Sequence, residues 1–94
     1  MSFSNIRKII TEDGKTQENT NNLPSNCLLY ITNGNQLKRS NRNISTLTDL
    51  NLSNNEIEEI ENSAFDSLVS LKYLNLSNNK LQQVNKWFNK VTQH

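Results

Sequence analysis

Apolar and polar residues alternate in a way that repeats along the second half of this chain. Leucines and isoleucines at Leu47, Leu50, Leu52, Ile57 and Ile60 recur 24 positions later as Leu71, Leu74, Leu76, Leu81 and Val84, and the hexapeptide beginning at Leu50 returns unchanged at Leu74. A fixed period of this length predicts a stacked array of similar coils. Leu50 and Leu52 fall on one face of a short extended strand, with Asn51 and Ser53 on the other, because side chains alternate with period two. The stretch from Glu58 to Ser70 brings Ile60, Phe65 and Leu68 back toward the interior. Asn62 and Ser63 read as a turn or cap ahead of a short helical turn. Each coil is therefore predicted as one strand plus a helical return, while the residues between the apolar slots (Asp49 against Tyr73, Glu56 against Lys80) vary freely.

The spacing Leu47-x-x-Leu50-x-Leu52-x-x-Asn55-x-Ile57, met again from Leu71 to Leu81, resembles the leucine-rich repeat. The continuation through Ile60, Phe65 and Leu68 is similar to the 24-residue type of that family, in which a Phe closes the outer side of each coil. The resemblance implies an α/β fold: a short right-handed solenoid of parallel strands with helical returns, containing two full coils and one degenerate coil. Asn55 and Asn79 are candidates for a ladder, since a carboxamide both donates and accepts and so can satisfy the backbone groups that the turn would otherwise strand.

A weaker copy precedes these two. Cys27, Tyr30 and Thr32 stand where the others have leucine, followed by Asn35 and Leu37 at the right distance. This register makes Asn35 a third ladder residue; an alternative using Leu29 and Ile31 as the strand pair would lose it. The expected organisation is a polar, poorly ordered lead over 1–22, a degenerate coil over 23–46, coils over 47–70 and 71–84, and a cap or tail over 85–94. Within the lead, Thr11 to Asn22 is wholly polar and reads as flexible or as a loose hairpin around Asp13 and Gly14. At the other end Leu81, Val84, Phe88 and Val91 fall on one helical face beside Trp87, as a segment capping the open core would, with a helix docking on another protein as the alternative.

Composition narrows the picture. Leu, Ile, Val and Phe number 25 of 94 residues, enough for a folded chain, and the length allows one domain. Asn numbers 18, more than the repeat positions explain, which points to compositional bias at many surface sites. Two and a half coils bury little, so a fragment, a divergent short product, or a protomer that stacks on a partner or on its own copy through open ends are the expected contexts. The first residues hold no apolar run resembling a secretory signal, which favours the cytoplasm, whereas the resemblance leans extracellular; the compartment stays open. The triplets at Asn43, Asn51 and Asn75 fit N-glycosylation acceptors, two of them as by-products of the repeat.

Catalysis finds no foothold. The single His is His94, at the very end; Cys27 fills an apolar slot, and the carboxylates at Glu56, Glu58, Glu59 and Glu61 alternate with isoleucines as a solvated edge. No cofactor and no metal is expected. Lys38, Arg39 and Arg42 form a short basic cluster, but a net charge of +1 lacks the field that nucleic-acid backbones require, and no apolar run approaches a membrane span. A protein partner remains. The outward strand positions form the candidate face: Asp49, Asn51, Ser53, Asn54 and Glu56 from one coil, and Tyr73, Asn75, Ser77, Asn78 and Lys80 from the next. The expected function is a protein-interaction module using this concave face, with a structural or capping fragment of a larger receptor-like protein, lacking its own ligand, as the alternative.

Overall fold

β-branched residues dominate the first strand. In the computed structural model, which describes residues 5–18, 23–40 and 45–81, Ile6–Thr11 forms β1 and Thr16–Glu18 forms β2, joined through a turn at Asp13 and Gly14. Gly14 has φ of 81°, a conformation glycine adopts without a Cβ penalty. The Asp13 carboxylate receives the Thr11 hydroxyl and, at 3.1 Å, the Lys15 amide, which fixes the turn locally. Thus the segment that reads as a polar lead contributes, between Ile6 and Glu18, two strands of the main sheet.

Cys27–Thr32 forms β3 and Gln36–Arg39 forms β4. β3 pairs antiparallel with β1 on one side and with β4 on the other. A three-residue loop, Asn33 to Asn35, joins β3 to β4; Asn35 takes φ of 64° and donates its amide to Thr32 O at 2.9 Å. A left-handed residue at the end of such a loop is the usual way to close a three-residue hairpin. The degenerate coil expected over 23–46 is therefore replaced by an antiparallel hairpin. The slot that suggested a ladder Asn is filled by an Asn for a different reason, its tolerance of the left-handed region.

The repeats follow. Asp49–Asn51 forms β5, Glu59–Ile60 forms β6 and Tyr73–Asn75 forms β7. β5 and β7 pair parallel with Asp49 opposite Tyr73, Leu50 opposite Leu74 and Asn51 opposite Asn75, an offset of one full repeat. β6 pairs parallel with β4, so the first sheet runs β2-β1-β3-β4-β6 and is of mixed direction.

The α/β solenoid with helical returns is overturned, because no helix occurs among the described residues. The return is a chain of turns: Ala64, Asp66, Leu68 and Leu71 each donate to the carbonyl three residues back, Glu61, Ser63, Phe65 and Leu68, at 3.0 to 3.2 Å. The physical reason lies in the segment itself. Asn62, Ser63, Asp66, Ser67 and Ser70 compete with helical backbone bonds, and a short segment rich in them gains little from helix propagation. The return nevertheless buries Ile60, Ala64, Phe65 and Leu68.

The main core joins both halves. Ile10, Leu28, Leu29, Ile31 and Leu37 from the N-terminal strands pack with Leu50, Leu52, Ile57, Phe65, Leu74 and Leu76 from the repeats. On the far side of β1 and β3, Ile6, Ile9 and Cys27 form a smaller cluster with Leu23 and Tyr30. Burial pushes the Cys27 thiol up from 9.0 to about 11, so it sits in the fold as a small apolar group whose Sγ meets Leu29 O at 3.2 Å. The cap expected over 85–94, with Val84, Trp87, Phe88 and Val91, and the positions of Arg42, Asn43 and His94, lie outside the described residues.

Candidate functional site

The face to consider is the outer side of β5 and β7 and the turns that follow them. Each strand begins beside its neighbour: Lys72 and Tyr73 donate their amides to Thr48 O at 2.7 and 3.1 Å. Beyond the strands the coils stay in step, with Leu52 N on Asn75 O at 2.8 Å and Asn54 N on Ser77 O at 3.1 Å. Leu50, Leu52, Leu74 and Leu76 point inward and are buried, which turns Asp49, Asn51 and Tyr73 to solvent and leaves Asn75 half-buried. Tyr73 is 51 % exposed and is the one large aromatic side chain in the described residues to be so.

The two copies solve the strand exit identically. Asn51 Oδ1 accepts Ser53 N at 3.0 Å and Ser53 Oγ at 2.7 Å; Asn75 Oδ1 accepts Ser77 N and Oγ at the same distances. This turn, in which an Asn side chain mimics backbone two residues on, explains why Asn and Ser recur together. Asn54 and Asn78 then take φ of 60° and 58°, which Asn tolerates better than other residues with a Cβ. Glu56 also has φ of 58°, the residue type least suited among the four non-glycines in this region. Glu56 and Lys80 are both exposed, and Lys80 donates its amide to Ile57 O at 2.8 Å.

Asn79 ties the coils together. Its Oδ1 accepts Asn55 N at 3.0 Å and Ile57 N at 2.9 Å, and its Nδ2 donates to Leu52 O and Leu76 O, both at 2.9 Å. Asn55 faces a different neighbour. Its Nδ2 donates to Ser53 O at 3.1 Å, while its Oδ1 accepts Lys8 Nζ at 3.0 Å and its carbonyl accepts an Arg7 guanidinium N–H. Arg7 Nε also reaches Asn35 Oδ1 at 2.8 Å, and Asn35 Nδ2 donates to Glu58 Oε2 at 2.7 Å. Asn35 thus joins the N-terminal strands to the first coil from the outside, and Lys8 of β1 meets the Asn55 carboxamide oxygen where a preceding coil would offer backbone amides. Arg7 and Lys8 carry no signal in the sequence, since a basic pair on a strand usually faces water.

The tip of the β1–β2 hairpin comes back over this face. A Cβ built on Gly14 would lie 3.3 Å from Leu47 Cδ1 and 3.6 Å from Asp49 O, so the turn packs directly on the start of β5. Between tip and strands lies an open groove of about 410 Å³ lined by Asp13, Gly14, Asp49, Asn51, Tyr73 and Asn75, with Leu50 and Leu74 beneath. Of the ten outward residues named from the sequence, Asp49, Asn51, Tyr73 and Asn75 meet in this groove; Ser53, Asn54, Glu56, Ser77, Asn78 and Lys80 lie along the turns beyond it. Among the described residues no group of three or more His, Cys, Asp or Glu side chains is placed to hold a metal ion, and no helix is long and apolar enough to cross a membrane.

Residues 45–93, just over half the chain, match the family model described as leucine rich repeat. The chain belongs to the leucine-rich-repeat family. No curated protein and no solved structure matches it. Leucine-rich repeats typically mediate protein interactions and are generally non-enzymatic, so the repeat assigns this chain a module of the protein-interaction type. The architecture around that module is its own: the strands β1 to β4 occupy the side on which another coil would stack.

Proposed function

We propose that this leucine-rich-repeat protein binds a partner protein through the face of β5 and β7. The observation that carries the reading is the placement of Tyr73, half exposed on a strand whose inward neighbour Leu74 is wholly buried, with Asp49 opposite it. A tyrosine held by a rigid strand offers a broad apolar surface and a hydroxyl at little entropic cost, and such residues dominate binding energies. Polar Asn51 and Asn75 beside it supply a rim, and the register between the strands keeps the group in fixed relation.

The test uses a partner recovered with the full chain as bait and then measured by affinity titration. Tyr73→Ala should weaken binding by roughly ten- to thirtyfold, as loss of a central aromatic anchor does, while its melting temperature stays close to that of the parent. Val69, 67 % exposed on the return segment, is the matching control from outside the groove. Binding that survives Tyr73→Ala and is lost in Val69→Ser would place the partner on the return side and sink the proposal.

A further inference from the structure

The groove under the hairpin tip has a chemistry of one sign. Asp13 and Asp49 are the only charged side chains among its described lining residues, although the whole chain carries ten Lys and Arg and a net charge of +1. Lys15, two residues past Asp13, does not line it, though its charge also acts to lower the Asp13 carboxyl. The Asp13 carboxyl is held below the usual carboxylate range by the Thr11 hydroxyl and the Lys15 amide. Both of those bonds go to Oδ1. Tyr73 presents an aromatic ring in the same space, and a ring face attracts a cation. The carboxamides of Asn51 and Asn75 have their Oδ1 atoms occupied by Ser53 and Ser77, so what they have to offer is Nδ2, a donor suited to the carbonyls of a peptide backbone.

We infer that this groove takes an extended peptide segment of the partner by one basic side chain, arginine or lysine, which sits over Tyr73 between Asp13 and Asp49. The inference rests on the proposed binding face and adds to it the chemistry of what is bound. Backbone carbonyls flanking the basic residue meet Asn51 and Asn75. The hairpin tip is then part of the site as well as of the fold, and its Gly14, where a Cβ would crowd Leu47 at a φ that strains other residues, sets the height of the wall.

The experiment is a display selection of a random dodecapeptide library on the immobilised full-length chain, followed by titration of individual selected peptides. Enrichment of Arg or Lys at one position is expected, together with at least about fivefold weaker binding to Asp49→Asn and to Asp13→Asn and a further loss in raised salt. Asp13→Asn keeps an oxygen for the Thr11 and Lys15 bonds, so the turn should persist and only the charge is removed. Replacing the enriched basic residue by citrulline or norleucine should have the same effect as the Asp substitutions. Selected peptides that lose affinity with Tyr73→Ala yet show no basic preference and bind both Asp variants normally would overturn this inference while leaving the binding face in place. Peptides indifferent to Tyr73→Ala, or no selected peptides, would overturn both.

Discussion

Removal of residues 1–22 is expected to abolish cooperative folding of the remaining chain. The deletion takes away β1 and β2, with Ile6, Ile9 and Ile10 from two clusters of the core, and it strips β3 of one hydrogen-bonded neighbour. Burial of each such side chain is worth about 1.5 to 3 kcal/mol, and a small domain has only about 5 to 15 kcal/mol in total. It also removes Arg7 and Lys8, which donate to the Asn55 carbonyl and carboxamide oxygen and tie β1 to the first coil. A broad, non-cooperative denaturant transition with loss of the strand signal in circular dichroism is the predicted result. A truncated chain with the parent's midpoint would show that the repeats stand without the hairpin.

The second large effect belongs to Asn79. Asn79→Ala deletes an acceptor for two backbone amides and a donor for two carbonyls, all within the turn that joins the coils. A loss of roughly 2 to 4 kcal/mol is expected, since groups left unsatisfied away from water cost more than the bond itself contributed. Thr46→Ala, at an exposed position before β5, should change stability by about 0.5 kcal/mol or less. Asn54 is a poor control despite its exposed place, because its φ of 60° makes alanine there a strained residue. Equal midpoints for Asn79→Ala and Thr46→Ala in a urea titration would contradict the bonding described.

The parts of this fold that are legible in the sequence are those where one physical requirement recurs. Leu50 and Leu74, or Leu52 and Leu76, repeat because each coil has the same interior to fill, and the repeat length alone sets the register of β5 against β7. The return was not legible. Ile60, Phe65 and Leu68 mark what is buried, but their spacing suits a helix as well as successive turns, and the balance is tipped by Ser, Asn and Asp residues that bond locally. The N-terminal unit was hidden for a different reason. Asn35 meets the spacing of the repeat while serving a hairpin loop, and β1 offers only Ile6, Ile9 and Ile10 among charged neighbours, a run too short to announce a strand buried on both faces. Asp13 and Gly14 do give a turn signal. What they cannot give is the distance from that turn to Tyr73, which depends on pairing between β1 and β3 and hence on residues far apart along the chain.

The account turns on the claim that the N-terminal strands and the leucine-rich repeats share one core, with β1 closing the side of the first coil and the hairpin tip overhanging the candidate face. Residue-resolved amide hydrogen exchange on the full chain tests it most directly, because protection reports the free energy of opening each hydrogen bond. The amides of β1 and β3 that pair across Ile9 and Tyr30 should be protected to within about tenfold of those at Leu50 and Leu74, and should lose protection together with them as denaturant is added. Rapid exchange throughout residues 6–18 while the repeats remain protected would contradict it.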